Sequence, residues 1–474
     1  MANSDHLAGK LVAGVDSSTQ SVKVVIRHAE TGELIRQGRA PHPDGTEVDP
    51  AHWLSALNTA IAAAGGIDDV SAISIGGQQH GMVTLDASGN VIRPALLWND
   101  TRSATSADDL NTELGGAAKT AEQVGSVLVA AFTAPKLRWV ADNEKENAAK
   151  VAAVALPHDW LSWQMQGGKD FDLLFTDRSD ASGTGYFNPV TSTYRNDILS
   201  SALRTDRAII APRIIEPAAF GGKTLSGIPI AAGAGDNAAA ALGVQAEPGD
   251  VVVSLGTSGT AFAISDTPTH DPSGAVAGFA DATGRYLPLV CTLNAARILD
   301  AATRILGKSY EEVGQLALAA KPGAHGLTLL PYFEGERTPN RPNAKGVFAG
   351  MNLTNSNPED IARAMIEGML CGLVDAVDAL VDLGVNVKRV LLIGGAAKNP
   401  AISAIASALF GREVLVPQPG EYVADGAARQ AAWALLGTAH APKWNLGEVH
   451  SAHAPATPEV VAQYRLLRDR TQTW

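Results

Sequence analysis

The segment Gly233 to Ala238 reads Gly-Ala-Gly-Asp-Asn-Ala and places a carboxylate, Asp236, directly after two glycines. It follows a strand-like run and precedes an alanine-rich run, so Asp236 is predicted at the start of a helix. Glycines there let a ligand approach the backbone closely, and the carboxylate could act as a general base. Asp is equally a favoured N-cap residue, and the sequence leaves both roles open. The roles compete, because helix N–H groups lower the pKa of a carboxylate that they satisfy.

Other glycine-rich patterns resemble nucleotide sites. Gly222-Lys223-Thr224 and Gly307-Lys308-Ser309 resemble the end of a P-loop, but Pro217 and Ala302 replace the first glycine that a P-loop requires. Gly233 to Ala238 also fits a dinucleotide fingerprint, yet no acidic residue follows about 20 positions later, which disfavours a dehydrogenase. Gly394 to Asn399 follows the strand-like RVLLI and is either a phosphate- or adenosine-binding turn or an ordinary βα turn.

Two distant segments share one pattern, which indicates a duplicated domain. VAGVDSSTQSVKVVI (12–26) and VVVSLGTSGTAFAIS (251–265) each contain an apolar strand, a turn of small residues and a β-branched strand. Placing Thr19 on Thr257 aligns them without a gap. Two unrelated β-hairpins are the alternative; the duplication predicts two similar domains facing each other across a cleft.

Strand-like and helical segments alternate along the rest of the chain, which predicts an α/β fold with a mostly parallel or mixed sheet. Asp49-Pro50 and Asn357-Pro358 are typical helix starts. SAISIGG (71–77) and KRVLLIGG (388–395) are predicted strands that end in glycines. The boundary between the domains is predicted near residue 245.

The composition is that of a globular protein. The chain has 474 residues, of which 46% are hydrophobic and 18% charged, and its formal charge is −12. Phosphate backbones require clustered Lys and Arg, so nucleic acid is excluded as a main partner. The chain has no apolar stretch of membrane-spanning length and no signal-peptide pattern, so no membrane partner is expected. Cys291 and Cys371 form no C-x-x-C pair, which favours a reducing compartment, the cytoplasm.

Eight segments occur in the order found in the FGGY carbohydrate kinases, which the chain resembles from about residue 12 to residue 436. They are VDSSTQSVK, GGQQHG, LLWNDTRS, SDASGTGYFN, GAGDNAAAALG, SLGTSG, LPYFEGERTPN and LLIGGAAKN. The resemblance implies two ribonuclease-H-like domains of the actin and hexokinase type with a cleft between them. Residues 1–245 would hold the sugar site and the catalytic base, and residues 246–474 the nucleotide site.

The resemblance also implies roles for individual residues. Asp236 matches the general base, and Asp16 matches the carboxylate near Mg²⁺ and the γ-phosphate of ATP. Residues that match the ATP site are Thr19, Gln20, Lys23, Gly256, Thr257, Gly394, Gly395 and Asn399. Residues that match the sugar site are Gln79, His80 and Asn237. ATP and Mg²⁺ are the implied cofactors, a small sugar is the implied partner, and a homodimer is one assembly that the resemblance allows.

The segments Gln78 to Gly81 and Trp98 to Asp100 are similar to those of pentulose kinases and favour D-xylulose, phosphorylated to D-xylulose 5-phosphate. Gln79 stands where such kinases commonly have Met, so a kinase for ribulose or gluconate stays open. A non-catalytic actin- or chaperone-like nucleotide-binding protein would lose Asp236, so the presence of this residue disfavours that class. Trp98 either packs on the sugar or fills the core, and the core is the favoured prediction; Arg102 is predicted to pair with Asp100.

Overall fold

The computed structural model describes residues 9–445 and 447–472, which form two compact units. Unit 1 contains the described residues of Met1–Gln245, Asp266–Leu287 and Gly420–Leu446. Unit 2 contains those of Ala246–Ser265, Pro288–Pro419 and Gly447–Trp474. The first break between the units follows Gln245, and two later segments belong to the same unit as the N-terminal part of the chain.

The helices carry Pro at their first position in several cases, which suits the fixed φ of proline. They are α1 Pro50–Ala63, α2 Ala104–Glu113, α3 Ala117–Val124, α4 Thr133–Asn143, α5 Lys145–Lys150, α6 Pro157–Gln164, α7 Arg178–Ala181, α8 Asn196–Leu203, α9 Asp236–Gly243, α10 Ala296–Leu306, α11 Tyr310–Ala319, α12 Pro358–Asp382, α13 Pro400–Phe410, α14 Tyr422–Leu436 and α15 Pro458–Arg470.

The strands are short and many are fully buried. They are β1 Leu11–Ser17, β2 Ser21–His28, β3 Leu34–Pro41, β4 Glu47–Val48, β5 Val70–Gly77, β6 Val83–Leu85, β7 Ala95–Leu96, β8 Ala153–Ala155, β9 Phe175–Thr176, β10 Phe187–Asn188, β11 Thr193–Tyr194, β12 Arg213–Ile214, β13 Phe220–Lys223, β14 Pro229–Ala231, β15 Ala234–Gly235, β16 Asp250–Leu255, β17 Gly259–Ala263, β18 Ala277–Ala280, β19 Tyr286–Thr292, β20 Thr328–Leu330, β21 Val347–Ala349, β22 Arg389–Ile393, β23 Glu413–Pro417 and β24 Val449–Ala452.

The main sheet of unit 1 has the strand order β13-β14-β5-β1-β2-β3, and β15 also pairs with β5. β1 runs antiparallel to β2 and parallel to β5, and β14 runs parallel to β5. The carboxyl ends of β1, β5 and β15 therefore meet at one edge of the sheet. Site residues that follow these strands are brought to that edge.

Six neighbouring strands of a second, seven-stranded sheet repeat this arrangement in the order β19-β17-β16-β22-β23-β24. β16 runs antiparallel to β17 and parallel to β22, and β22 runs parallel to β23. Strands β19, β17, β16, β22 and β23 thus have the order and directions of β3, β2, β1, β5 and β14. The predicted α/β fold with two similar domains, each opening on the same hairpin, is confirmed.

The predicted helix starts are confirmed. The Asp49 side chain caps α1 by accepting the Ala51 N–H, and α1 buries Trp53. The Asn357 side chain caps α12 by accepting the Asp360 N–H. Among the described residues, the apolar stretches of the helices all fall short of what crossing a membrane requires.

Helix α14 packs on the sheet of unit 1, which explains why the segment Gly420–Leu446 belongs to that unit. Its small residues Ala424 and Ala428 pack in a buried cluster with Val12 of β1 and Ala72 of β5. A side chain at Gly426 would collide with the backbone of α9, so only glycine permits this close approach of the two helices. The packing brings the N-terminal end of α14 to the β1–β2 hairpin.

Candidate active site

An ion-paired hairpin forms the first part of the candidate site in unit 1. Asp16 and Lys23 are opposite each other on β1 and β2, and the Lys23 Nζ lies 3.4 Å from the Asp16 Oδ2. The same ammonium lies 2.6 Å from the Glu421 Oε2, just before α14. Lys23 thus bridges two carboxylates at the end of β1, which suits a site that exchanges ion pairs with phosphate oxygens.

Asp16 is almost fully buried, with 3% of its surface exposed. Burial disfavours the charged carboxylate and raises its pKa to about 6, although the charge and hydrogen bond of Lys23 oppose this shift. Among the described residues, the Asp16 Oδ1 has no hydrogen-bond partner. A buried oxygen in this state is costly unless a donor or a cation satisfies it, so Asp16 is suited to holding a hard cation directly or through water.

The structure separates the two roles that the sequence left open for Asp236. The N-cap of α9 is Gly235, and Asp236 is the first residue of the helix. The Asp236 Oδ1 accepts the backbone N–H of Asn237 and the Asn237 Nδ2, each at 2.8 Å. Asp236 is therefore not the N-cap. Its side chain is half-buried, and both bonds to Asn237 use Oδ1, so the second carboxylate oxygen takes no part in them.

The electrostatic surroundings of Asp236 favour a proton acceptor near neutral pH. Burial raises the pKa of its carboxyl to about 7, and the negative charge of Asp16 adds to the increase. The two donors from Asn237 lower the pKa without cancelling this shift. The pKa of a general base is best matched to the working pH, so Asp236 has the ionisation expected of such a group.

The candidate sugar residues follow β5, at the same edge of the sheet. The Gln79 Nε2 donates to the Ser179 backbone oxygen at 3.0 Å, and the His80 Nδ1 lies 2.6 Å from the Gly183 backbone oxygen. His80 has a left-handed φ of 69°, which is uncommon outside glycine and marks a constrained turn. Its ring also packs against Phe132. Both side chains are buried and fixed by the backbone around α7.

Thr19, in the β1–β2 turn, contacts the segment that follows β5 and carries Gln79 and His80. Its hydroxyl accepts the Trp98 Nε1–H at 2.8 Å and contacts the Gln78 Oε1 at 3.4 Å, while Gln20 is exposed. The prediction that Trp98 fills the core is wrong, because the residue is half-buried and its indole N–H needs the Thr19 hydroxyl as a partner. The predicted pair is confirmed: the Arg102 Nε donates to the Asp100 Oδ1 at 2.9 Å.

The candidate nucleotide residues of unit 2 lie at the ends of the parallel neighbours β16 and β22. Gly256 and Thr257 form the turn to β17, with Thr257 exposed. Gly394 has a φ of 99°, and a side chain there would collide with the Leu255 backbone. Glycine is therefore required where these two turns touch. Gly395 begins a one-turn 3₁₀-helix and is exposed.

Asn399 has a structural role in the same turn. Its side chain caps α13 by accepting the Ala401 N–H at 3.0 Å, and its Nδ2 donates to the Tyr310 backbone oxygen at 2.8 Å. The last residue of the six-residue turn from Gly394 to Asn399 is therefore the N-cap of α13. Gly395 leaves open backbone toward which a ligand can approach.

Sequence reasoning missed two residues that support this site. Glu421 binds Lys23 from a segment far away in the chain, and Ser179 holds both Gln79 and Gly235. The Ser179 Oγ accepts the Gly235 N–H at 3.0 Å. Ser179 lies within the SDASGTGYFN segment, one of the eight segments that resemble the FGGY kinases, but none of the residues of this segment was predicted to belong to the site. Nothing in the pattern around Glu421 distinguishes it from an ordinary helix start.

Two family models match the chain in succession. The N-terminal domain of the FGGY family of carbohydrate kinases matches residues 11–243, and the C-terminal domain matches residues 251–435. The chain belongs to the FGGY family of carbohydrate kinases. It is therefore a phosphotransferase of that family, and ATP use follows from membership.

Individual relatives of this FGGY kinase align over nearly its full length. The xylulose kinase of Streptomyces coelicolor is 43% identical over 454 residues, covering 92% of this chain and 91% of the relative. A crystal structure of xylulose kinase from Bifidobacterium adolescentis is 48% identical with a TM-score of 0.90, covering 97% and 99% of the two chains. Plasmodium falciparum glycerol kinase with ADP has a TM-score of 0.84 at 19% identity, covering 98% and 99%, and shares the fold.

Proposed function

We propose that this FGGY kinase transfers the γ-phosphoryl group of ATP to D-xylulose, giving D-xylulose 5-phosphate. The xylulose kinases of Streptomyces coelicolor and Bifidobacterium adolescentis, at 43% and 48% identity, support D-xylulose as the sugar. The observation that carries the reaction is the Asp236 carboxyl at the edge of the sheet, with a pKa raised to about 7.

In this proposal Asp236 accepts the proton of the attacking hydroxyl. Phosphoryl transfer passes through a loose transition state, so the protein contributes mainly alignment and charge compensation, with a base for the departing proton. The two bonds from Asn237 fix one oxygen of Asp236 and leave the other for the sugar hydroxyl. At neutral pH a group with a pKa of about 7 is partly ionised and ready to accept a proton.

The other residues in the proposed site bind and orient the substrates. Gln79, His80 and Asn237 belong to the sugar site. The ATP-binding residues form one set in each unit: Thr19, Gln20 and Lys23 in unit 1, and Gly256, Thr257, Gly394, Gly395 and Asn399 in unit 2. Lys23 offers a cation to phosphate oxygens, and the turns of unit 2 offer N–H groups and close backbone approach.

Mg²⁺ is the proposed metal, and Asp16 the residue that holds it. The fit rests on the buried Asp16 Oδ1, which has no partner among the described residues, and on the preference of Mg²⁺ for carboxylate oxygen and water. When bound, the ion would neutralise charge on the phosphate oxygens of ATP. Lys23 keeps Asp16 more acidic than burial alone would make it, so the carboxylate is available to a cation at neutral pH.

Two further expectations concern the cell and the assembly. The chain has two cysteines, Cys291 and Cys371, which form no C-x-x-C pair; this is compatible with a reducing compartment, and we propose the cytoplasm. A homodimer is the proposed assembly, to be measured by size-exclusion chromatography with light scattering.

The function is tested by measuring ADP release with a panel of ketoses, aldoses, polyols and gluconate. D-xylulose should give the highest kcat/KM, and the product should be identified as the 5-phosphate by NMR spectroscopy. ADP release without sugar serves as the background. A higher kcat/KM with glycerol or gluconate would overturn D-xylulose as the substrate while leaving the kinase activity in place.

A further inference from the structure

A fully buried cluster of charged side chains lies in unit 1 beside the proposed catalytic turn. His158 of α6 is surrounded by Asp159, Asp177 and Asp180, and none of these four side chains is more than 3% exposed. The His158 Nδ1 lies 2.5 Å from the Asp180 Oδ2 and 3.3 Å from the Asp159 Oδ1. Such a cluster is costly to bury, so its placement calls for a functional explanation.

The geometry favours a shared proton over a metal ion. A separation of 2.5 Å is that of a charge-assisted hydrogen bond, and it leaves no room for an ion between the His158 and Asp180 atoms. Burial alone would lower the pKa of His158, but the charges of Asp159 and Asp180 outweigh it and raise the pKa to about 10. His158 and Asp180 therefore share a proton at Nδ1, and the Nε2 of His158 is an N–H donor, because the carbonyl oxygen that faces it can only accept.

The Nε2 of His158 points to the catalytic turn. The His158 Nε2 lies 3.4 Å from the backbone oxygen of Ala232, four residues before Asp236. Side chains at Gly77 and Gly233 would collide with His158, so it packs directly against the end of β5 and the start of the turn. His158 touches the backbone of both segments that carry site residues.

Helix α7 completes the support from the same cluster. Asp177 caps α7 by accepting the backbone N–H groups of Ser179 and Asp180. Its carboxylate therefore holds both Asp180, which binds His158, and the neighbouring Ser179. The Ser179 Oγ accepts the Gly235 N–H, and the Ser179 backbone oxygen accepts the Gln79 amide. The hydrogen bond between His158 and Asp180 links α6 to α7, and the two helices contact the catalytic turn at its two ends.

We propose that His158 and Ser179 are positioning residues that fix the turn from Ala232 to Gly235 and thereby place the Asp236 carboxylate. The His158 Nε2 holds the Ala232 carbonyl, and the serine hydroxyl holds the Gly235 N–H. In this proposal both groups act through the backbone of the turn. The inference rests on the proposed role of Asp236, since a misplacement of about 1 Å at a reacting group can reduce turnover by about 10²-fold.

A matched pair of substitutions at His158 tests this. Gln places its amide near the Nε2 position and can still donate to Ala232, whereas Asn places its amide near Nδ1 and can reach only Asp180. We expect His158→Asn to lower kcat by about 10- to 100-fold and His158→Gln to retain at least about ten times more kcat than Asn. The KM for ATP should stay within about twofold of wild type in both.

Turnover is expressed per site that binds an ATP analogue, measured by calorimetry, so a loss of folded protein does not count as a loss of kcat. Ser179→Ala leaves every charge of the cluster in place and should lower kcat by about tenfold, which keeps the test decisive if the His158 variants do not fold. The His325→Asn and His325→Gln variants serve as controls, because His325 pairs with Asp360 at 2.9 Å in unit 2. These controls should keep wild-type kcat.

Equal kcat for His158→Asn and His158→Gln, or wild-type kcat for Ser179→Ala, would overturn the positioning role. Failure of the proposed function gives a different pattern. If Asp236→Asn retains wild-type kcat, the base is elsewhere and the positioning proposal falls with it. If Asp236→Asn is inactive while the His158 and Ser179 variants turn over normally, only the positioning proposal is wrong.

Discussion

The pH dependence of kcat/KM for the sugar reports the ionisation of the base in the enzyme form that has not yet bound sugar. For Asp236 the structure raises the pKa from the ordinary value of 3.8 to about 7, through burial first and the charge of Asp16 second. A base acts when it is deprotonated, so activity should rise as the pH passes through about 7. An unshifted aspartate would be ionised throughout this range.

The expected magnitude follows from the ionised fraction. With a pKa of about 7, Asp236 is about one-tenth ionised at pH 6 and about nine-tenths at pH 8, so kcat/KM should rise about tenfold. With the ordinary pKa of 3.8, the ionised fraction exceeds about 0.99 at both values and the profile would be flat. The substitution Asp16→Asn removes a charge that raises the pKa of Asp236, so the rise should move to lower pH.

The assay is coupled ADP release at limiting D-xylulose and saturating Mg-ATP, from pH 5.5 to pH 9, with the coupling enzymes in excess at each pH. Asp86→Asn is a matched control, because Asp86 accepts N–H groups in an exposed turn of unit 1 and should leave the profile unchanged. A wild-type profile that is flat between pH 6 and pH 8 would refute the argument. So would an Asp16→Asn profile that moves to higher pH.

Three further substitutions have defined outcomes. Asp16→Ala should lower kcat at least about 100-fold while the circular dichroism spectrum is retained, since a buried oxygen donor is lost; near-normal kcat at saturating ATP and Mg²⁺ would remove Asp16 from the mechanism. Asp236→Asn should raise Tm by about 2 °C or more at pH 8 and by less at pH 5. The reason is that the pKa of Asp236 is raised in the folded state, so its ionisation destabilises the fold as the pH rises from about 4 through about 7. Scanning calorimetry that shows a larger increase at pH 5 than at pH 8 would contradict this. His80→Ala should raise the KM for sugar at least about tenfold with the KM for ATP within about twofold, and equal changes in both constants would contradict a sugar role.

The fold could be predicted from the sequence where local chemistry determines it. Asp49 and Asn357 are caps followed by proline, and both begin helices as expected. The two hairpins around Thr19 and Thr257 were recognisable because small residues at a turn and β-branched residues in a strand have strong local preferences. Their shared pattern also predicted two similar domains, and the structure gives the two sheets the same strand order.

The long-range contacts of the site were not predictable from local patterns. Whether Asp236 is an N-cap depends on whether the helix begins at Asp236 or one residue later, and the sequence does not resolve a difference of one residue. In the structure the helix begins at Asp236 and Gly235 is the N-cap. Glu421 reaches Lys23, and Trp98 reaches Thr19, because helices and strands pack in three dimensions, and neither partner leaves a periodic signal. The environment that raises the pKa of Asp236 is likewise assembled by the fold.

The most direct test of Asp236 as the base is the single-turnover rate of Asp236→Asn at pH 8 with saturating ATP, Mg²⁺ and D-xylulose. Asn keeps the oxygen that accepts the two bonds from Asn237 but cannot take a proton at this pH. Rapid quenching and quantification of D-xylulose 5-phosphate should show a rate at least about 100-fold below wild type, with sugar and nucleotide binding retained. A rate within about twofold of wild type would contradict the assignment.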